Sequence, residues 1–390
     1  MKVQLLKTIR VRNFKAIRDT GVLKLSPLTV FIGNNGSGKS SVLEALETFQ
    51  SIVQDGVDEA MRPWHGFEHI WNKAVAHENR EKARDKCAHQ TNPMFFSFSG
   101  WSPENPVGGN YRAEMAVTLA PGGNKLFIQH EEVRLASKLH IIRNDHGRIT
   151  NLFAKEIPFN EKYSDGESSL RRLAPGVWGQ WQFLSLVPQN MSEPIPQKRT
   201  GGPIMLAKDG RNIAEYLRWI READLAAFNG ILESLQFVLS YATDMQITLT
   251  SELERTVYLQ MTEKNFKVPS WLFSTGTLRV LALLAVLRSP SPPPLIVIEE
   301  IENGLDPRTV NLILEEIRGA VDSGRTQVIA TTHSPYLLDL LDLSHLVLCE
   351  RVKGEPVFVR PQDRKGLRDW AKSFAPGQLY IMDRMHVEGR

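Results

Sequence analysis

The stretch with the clearest chemistry is a glycine-rich loop that reads Gly33-Asn34-Asn35-Gly36-Ser37-Gly38-Lys39-Ser40. It fits the phosphate-binding pattern G-x-x-x-x-G-K-[ST] at every defined position. Glycines let the backbone turn tightly and approach an anion, and N–H groups at a helix N-terminus point at a phosphate. Lys39 is expected to reach the β- and γ-phosphates of a nucleotide, and the Ser40 hydroxyl to hold Mg²⁺.

The elements on either side of this loop favour a phosphate site over a chance glycine-rich turn. Residues 28–32 are apolar and β-branched, which predicts a buried strand, and residues 41–53 form a good helix sequence. The loop therefore joins a strand to a helix N-terminus, where the helix dipole is positive.

Two carboxylates follow a second apolar run. Residues 295–298 read Leu-Ile-Val-Ile, which predicts a strand buried on both faces, and Glu299 and Glu300 come next. Carboxylates at the end of a core strand are costly unless they face a metal or a cleft. We expect Glu299 to face Mg²⁺, directly or through water, and Glu300 to act as the base for an attacking water.

The next predicted strand covers residues 326–331, and His333 follows it at the same edge of the sheet. A lone histidine after a strand is usually structural. Because the phosphate loop and both acids are expected to converge on this edge, we predict that His333 contacts the γ-phosphate.

A possible second anion site lies at the start of the apolar helix predicted over 278–287. Ser274, Gly276 and Thr277 there supply hydroxyls and N–H groups. Simple helix capping is the alternative, and the stretch alone favours capping.

The composition is that of a globular protein with a sizeable core: 390 residues, 42% hydrophobic and 23% charged. Two cysteines make no disulfide framework and fit a reducing cytoplasm. The longest aliphatic run, 280–287, is too short to span a bilayer, so a cytoplasmic protein without a membrane partner is expected. A net charge of +3 permits nucleic-acid binding without arguing for it.

The middle of the chain predicts a β-sheet inserted after the phosphate-loop helix, with strands at 94–98, 111–119, 125–134 and 138–143. Residues 212–241 are strongly helical in pattern. The segment 12–17, with Asn13, could contact the base or ribose or be a surface turn. The other candidates in the middle are a Mg²⁺-sensing glutamine among Gln180, Gln182 and Gln189, and a zinc site among His65, His69, His77, Cys87 and His89, whose spacing matches no standard pattern.

The order of these motifs resembles the ABC-type ATPases of the SMC, RecF and OLD group. Within that group the chain looks most like the short AAA-family ATPases of bacterial anti-phage systems, such as the Septu and PARIS ATPase subunits. The resemblance implies an α/β P-loop head with a parallel-core sheet, an inserted antiparallel β-subdomain (about 94–150) and a helical signature subdomain. It implies a first lobe over 1–200 and a second over 201–390.

The resemblance also implies a role for each matching residue. Glu300, His333 and Lys39 would be catalytic, and Asp306 would be the acid of the D-loop. The segment 273–277 would be the signature loop, which departs from Leu-Ser-Gly-Gly-Gln because Thr275 holds the first glycine place. Ser40 and Glu299 would hold Mg²⁺, although most relatives have Asp at the second position. The residues implied to bind ATP are Gly33, Asn34, Asn35, Gly36, Ser37, Gly38, Lys39, Ser40, Ser41, Asn13, Ser274, Gly276, Thr277 and Asp306.

In such proteins the signature loop of one subunit closes on the phosphate loop of another, so the resemblance implies a homodimer that shares two ATP sites. The leading hypothesis is an ATP-gated sensor or scaffold in phage defence that controls a separate effector, such as a TOPRIM-type or HNH-type nuclease. The alternative is a RecF-like ATPase of DNA repair that binds DNA through basic groups such as Lys198-Arg199, Arg171-Arg172 and Arg364-Lys365. A transporter subunit fits the inserted sheet less well.

Overall fold

The computed structural model describes residues 4–74, 92–103, 108–120, 125–136, 139–143, 149–151, 164–173, 178–198, 202–250 and 255–386. The chain divides into two compact units. The terminal unit comprises Lys2–Trp181 and Asp342–Arg390, and the central unit comprises Gln182–Leu341. The lobes predicted at 1–200 and 201–390 stay a prediction. Within the described ranges, no helix combines the length and the apolar character needed to cross a membrane.

The first part of the terminal unit contains a large sheet, one long helix and several short helices. Its strands are β1 (Leu5–Phe14), β2 (Ile17–Asp19), β3 (Leu23–Lys24), β4 (Leu28–Ile32), β5 (Met94–Ser102), β6 (Gly109–Leu119), β7 (Leu126–Leu135), β8 (Leu139–Arg143) and β9 (Ile149–Asn151). Its helices are α1 (Lys39–Asp55), α2 (Val57–Met61), α3 (Phe67–Ile70) and α4 (Leu170–Leu173).

Eight of these strands form one antiparallel sheet in the order β2-β1-β5-β6-β7-β8-β9, with β3 paired to β1. The strands predicted over 94–143 are confirmed, and the N-terminal strands join the same sheet. Side chains alternate along β5 between buried and half-buried positions, so one face packs inward. The helix α1 covers that face with Phe49, whose ring centroid lies 4.5 Å from that of Phe98 and 5.5 Å from that of Trp178.

The central unit carries its own parallel strands and most of the long helices. Its strands are β10 (Gln182–Leu184), β11 (Ile195–Pro196), β12 (Ala242–Leu249), β13 (Thr256–Glu263), β14 (Phe266–Pro269), β15 (Leu295–Ile298) and β16 (Gln327–Thr332). Its helices are α5 (Pro188–Ser192), α6 (Ile213–Ala223), α7 (Leu225–Val238), α8 (Thr275–Leu287), α9 (Pro307–Asp322) and α10 (Pro335–Asp339).

The strands β10, β15 and β16 pair in parallel, and every residue of β15 and β16 is buried. Their apolar runs therefore form the parallel core that the sequence predicts. The single helix pattern over 212–241 is instead two helices, because Asp224 leaves the helical conformation at φ −155° and caps α7 by accepting a hydrogen bond from the Ala227 N–H at 3.0 Å.

The chain then returns to the terminal unit with β17 (Leu346–Val352), β18 (Glu355–Val359), α11 (Lys365–Trp370) and α12 (Pro376–Ile381). The strand β17 pairs in parallel with the fully buried β4 and antiparallel with β18. The strand that enters the phosphate loop is thus held by the C-terminal part of the chain.

Candidate functional site

The phosphate loop has the conformation that its glycines predict. Gly33, Gly36 and Gly38 have φ of 149°, 74° and 102°, a region that other residues rarely adopt. A Cβ at Gly33 would lie 2.0 Å from the carbonyl oxygen of Cys349, so no side chain fits there. Gly38 is the N-cap residue of α1, whose first turn holds no acidic residue, so the positive end of the helix suits an anion.

Lys39 lies inside the loop. Its side chain is 5% exposed, and its Nζ donates hydrogen bonds to the carbonyl oxygens of Gly33 at 2.7 Å and Asn34 at 3.0 Å. The Ser37 Oγ is buried without a hydrogen-bond partner among the described residues. Ser40 is half-buried in the first turn of α1, and Ser41 is buried behind it. The loop therefore offers a cation, backbone N–H groups and hydroxyls in one place.

The C-terminal part of the terminal unit contacts this loop in two places. The Arg351 Nε donates to the Gly36 carbonyl oxygen at 2.7 Å, and the Tyr380 hydroxyl donates to the Asn34 Oδ1 at 3.3 Å. The sequence pattern gives no signal for either residue, because both lie more than 300 positions after the loop.

Asn13 is buried near the end of β1 at φ 56°, and its Nδ2 donates to the carbonyl oxygen of Pro93 at 2.9 Å. Its neighbour Lys15 pairs with Glu44 at 2.6 Å. These contacts occupy the Asn13 amide and the Lys15 ammonium within the terminal unit, and a nucleotide contact at Asn13 stays a prediction.

The two acids after β15 differ in their surroundings. Glu299 is half-buried, whereas Glu300 is exposed and has φ 47°, a strained conformation for a residue with a side chain. The Thr331 Oγ1 accepts a hydrogen bond from the Glu300 N–H at 2.8 Å, and the Asn303 Nδ2 donates to the Glu300 Oε2 at 3.3 Å. Thr331 thus holds the Glu300 backbone, and Asn303 contacts the Glu300 carboxylate.

His333 follows β16, as the sequence predicts, and is half-buried. Its backbone N–H donates to the Glu302 Oε1 at 2.6 Å. The other carboxylate oxygen of Glu302 is buried and has no hydrogen-bond partner in the described part of the chain. Glu302 therefore positions the His333 backbone, a contact that joins residues 31 positions apart and leaves no mark in the sequence.

The start of α8 is a completed helix cap. The Ser274 Oγ accepts a hydrogen bond from the Thr277 N–H at 3.0 Å and lies 2.8 Å from the Thr277 Oγ1. Ser274 and Thr275 are nonetheless exposed, and the first turn holds no acidic residue. A Cβ at Gly276 would lie 2.7 Å from the Gly304 carbonyl oxygen, so the start of α8 and the loop before α9 touch directly.

Asp306 caps α9. Its Oδ1 accepts from the N–H groups of Arg308 at 3.0 Å and Thr309 at 3.3 Å, and its Oδ2 accepts from the Thr309 hydroxyl at 2.5 Å. The hydrogen bond from the Thr309 hydroxyl, together with those from the backbone, holds the pKa of Asp306 below its usual value.

Arg279 is a further residue of this region that the motifs do not reveal. Its Cδ lies 3.5 Å from the position that a Cβ at Gly304 would take. Partial burial lowers the pKa of Arg279, and the charge of Glu300 opposes that shift. The Arg279 side chain therefore stands near both the Glu300 carboxylate and the loop that ends at Asp306.

The roles of the candidate Mg²⁺-sensing glutamines and of the candidate zinc ligands stay predictions. The Gln182 Nε2 donates to the carbonyl oxygens of Phe183 and Leu206, while Gln180 and Gln189 are exposed. Within the described ranges, three potential metal ligands that the sequence did not single out lie together on the antiparallel sheet: Glu114, His130 and Glu132. His77, Cys87, His89 and Arg199 lie outside the described residues.

Comparison with protein families gives two matches. The family model described as "AAA domain, putative AbiEii toxin, Type IV TA system" matches residues 124–339, which is more than half of the chain. A second model, described as "AAA ATPase domain", matches residues 1–92, the part that contains the phosphate loop.

Individual relatives are distant. An "ATP/GTP phosphatase" of Helicobacter pylori (strain ATCC 700392 / 26695) is 20% identical over 364 residues, which cover 87% of this chain and 88% of that protein. The "Pleiotropic drug resistance protein 1" of Petunia axillaris is 34% identical over 73 residues, which cover 19% of this chain and 5% of that protein.

A solved structure of an SmcHead bound to the C-winged helix domain of ScpA is 12% identical, with a TM-score of 0.52 over 91% of this chain and 97% of that one. This likeness concerns the fold. The predicted fold class, an α/β P-loop head of the SMC type, is confirmed.

Proposed function

We propose, on the premise that the chain belongs to that AAA-domain family, that this AAA/SMC-like ATPase is a switch that dimerises around ATP and controls a separate effector protein. The observation that carries the nucleotide part is the phosphate loop. Three glycines at positive φ and the buried Lys39 form an anion site at the start of a 17-residue helix.

The residues of the loop fit ATP and Mg²⁺. Gly33, Gly36 and Gly38 have positive φ, which a loop needs where its backbone turns tightly around a phosphate. The Ser40 hydroxyl and the Glu299 carboxylate are oxygen ligands, which Mg²⁺ prefers, and we propose that they hold it. When bound, the ion would neutralise negative charge on the phosphates.

We propose that Glu300 is the general base. It is exposed, its backbone N–H is fixed by Thr331, and its strained φ is of the kind that clusters at functional sites. The Glu300 carboxylate would take a proton from the attacking water, and Lys39 and His333 would stabilise charge on the γ-phosphate.

We further propose that the start of α8 acts on the ATP of a second copy. Ser274 and Thr275 are exposed at the positive end of a 13-residue helix whose first turn holds no acidic residue. Supplied by a partner, these groups would add donors to the γ-phosphate, so ATP would join the two copies and hydrolysis would release them.

The proposed effector is a nuclease, and the proposed setting is defence against phage. The family description names a putative toxin of a Type IV TA system, which is compatible with such a role. Phosphate release from purified protein, alone and with proteins encoded beside it, tests the proposal. We expect ATP turnover that requires Mg²⁺ and a partner whose nuclease activity changes with ATP; absence of any ATP turnover would overturn the enzymatic part.

A further inference from the structure

A cavity of about 480 Å³ lies among the C-terminal helices of the terminal unit, outside the residues assigned to ATP. This size falls within the range of ~300–1,000 Å³ for small-ligand sites. Its walls combine aromatic, apolar and cationic groups. They are Arg364, Gly366, Leu367, Trp370, Met382, Asp383, Arg384 and His386.

Two of the lining residues, Trp370 and Arg384, stack on each other, and Phe374 lies beside Trp370 outside the lining. The Arg384 guanidinium lies over the Trp370 ring at 5.2 Å from its centroid, and the Phe374 ring lies 5.8 Å from Trp370 at an interplanar angle of 30°. Trp370 is 43% exposed and Phe374 is 36% exposed. Large rings of this kind are normally buried, and indole rings and guanidinium planes both stack on nucleobases.

The charge of this region suits a phosphate. Arg364 and Arg384 line the cavity, and within the described ranges no carboxylate forms an ion pair with either. The nearby carboxylates are engaged by His386, whose Nδ1 lies 3.1 Å from the Glu350 Oε1 and whose Nε2 lies 2.8 Å from the Asp383 Oδ1. The Arg364 Nη1 also donates to the His386 carbonyl oxygen, which joins His386 to the residue before α11.

From these contacts we infer that the C-terminal cavity binds a nucleobase together with its phosphate. The base stacks against the Trp370 ring and the Arg384 guanidinium, and the phosphate contacts Arg364 and Arg384. Two sources supply this chemistry, a strand of single-stranded nucleic acid and a free mononucleotide. An acidic peptide would use the arginines but not the stacked rings.

Binding of a 5′-labelled oligothymidylate of about 15 nucleotides, followed by fluorescence anisotropy at low salt, tests this inference. The protein carries Lys39→Ala and no ATP is added, which weakens phosphate binding at the loop, and failure of the proposed ATPase leaves the test intact. We expect the oligothymidylate to bind. If a free nucleotide is the natural ligand, excess thymidine monophosphate should displace the oligothymidylate. If a strand is the natural ligand, the same concentration of thymidine monophosphate should not displace it. Absence of binding by both probes overturns the inference.

Substitutions separate a built site from general attraction to a cationic surface. Trp370→Ala and Arg384→Ala should each weaken binding about 5- to 100-fold, the range for loss of one stacked base. Arg368→Ala is the matched control, because Arg368 is exposed on the same helix and does not line the cavity. It should change binding less than about twofold.

Equal losses in Arg368→Ala and Arg384→Ala would overturn the inference, as would equally tight binding of polyglutamate. Trp370→Phe distinguishes loss of ring stacking from a folding defect. It keeps an aromatic ring and should retain more binding than Trp370→Ala, with far-ultraviolet circular dichroism equal to that of the parent.

Discussion

The phosphate loop and the start of α8 both present a helix N-terminus without acidic residues, yet they are built differently. The loop reaches its shape only because Gly33, Gly36 and Gly38 have positive φ, and its Lys39 is held by loop carbonyls. The start of α8 has an ordinary capping serine at φ −65°. A glycine-rich loop at a helix N-terminus is typical of anion sites, whereas the cap at α8 is complete in itself. The proposed role of the start of α8 at ATP therefore depends on a second copy of the chain.

The largest expected effect concerns the hydrolysis step, for which the proposed base lies at neither of these two helix starts. Glu300→Gln should slow ATP turnover by about 10²–10⁴, the usual contribution of a general base, while ATP binding survives. Phosphate release and nucleotide binding are measured on the same preparation. Glu315→Gln, an exposed glutamate on α9 paired with Arg318, is the control and should leave turnover unchanged. Full turnover in Glu300→Gln would remove Glu300 from the base role.

The next largest effect is expected at the phosphate loop. Lys39→Ala should weaken ATP binding about 10- to 100-fold, because hydrogen bonds to charged groups contribute about 1.5–3 kcal/mol. Titration calorimetry with ATP measures this change. Lys372→Ala removes an exposed lysine paired with Asp369 and should not alter the affinity. Unchanged affinity in Lys39→Ala would mean that the loop binds no phosphate.

A methyl group at Gly276 tests the contact between the start of α8 and the loop before α9. Gly276→Ala should lower the free energy of unfolding by about 1–3 kcal/mol, because the new Cβ would lie 2.7 Å from the Gly304 carbonyl oxygen. Urea unfolding measures it. Gly319→Ala on α9 is the control, since a Cβ there meets nothing within 4 Å, and it should be neutral or stabilising. Equal behaviour of the two variants would contradict the contact.

The smallest expected effect is a pH dependence at Asp306. Its folded-state pKa is lowered, so its cap stabilises the fold above the unfolded pKa of about 3.9 and loses that contribution as pH falls through the folded pKa. Asp306→Asn keeps a capping side chain that does not titrate. The stability advantage of the natural protein over this variant, from urea unfolding between pH 7 and 3, should shrink at the acid end. A constant difference would exclude the linkage.

The sequence predicted those elements whose residue types strongly favour a single local structure. The apolar runs at 28–32 and 295–298 coincide with β4 and β15, because continuous runs of apolar and β-branched residues favour fully buried strands. It missed the break at Asp224, where a local cap outweighs the apolar period that continues through it. It also missed Arg279, Glu302 and Tyr380, whose contacts come from folding and have no fixed spacing in the chain.

The central claim, that ATP joins two copies, is tested most directly by the solution mass of Glu300→Gln from light scattering with and without Mg-ATP. The variant should hold ATP without hydrolysing it. We predict that its mass doubles from the 44.1 kDa of one chain when Mg-ATP is added, and that adding Lys39→Ala abolishes the increase. A mass that is the same in both conditions would contradict the claim.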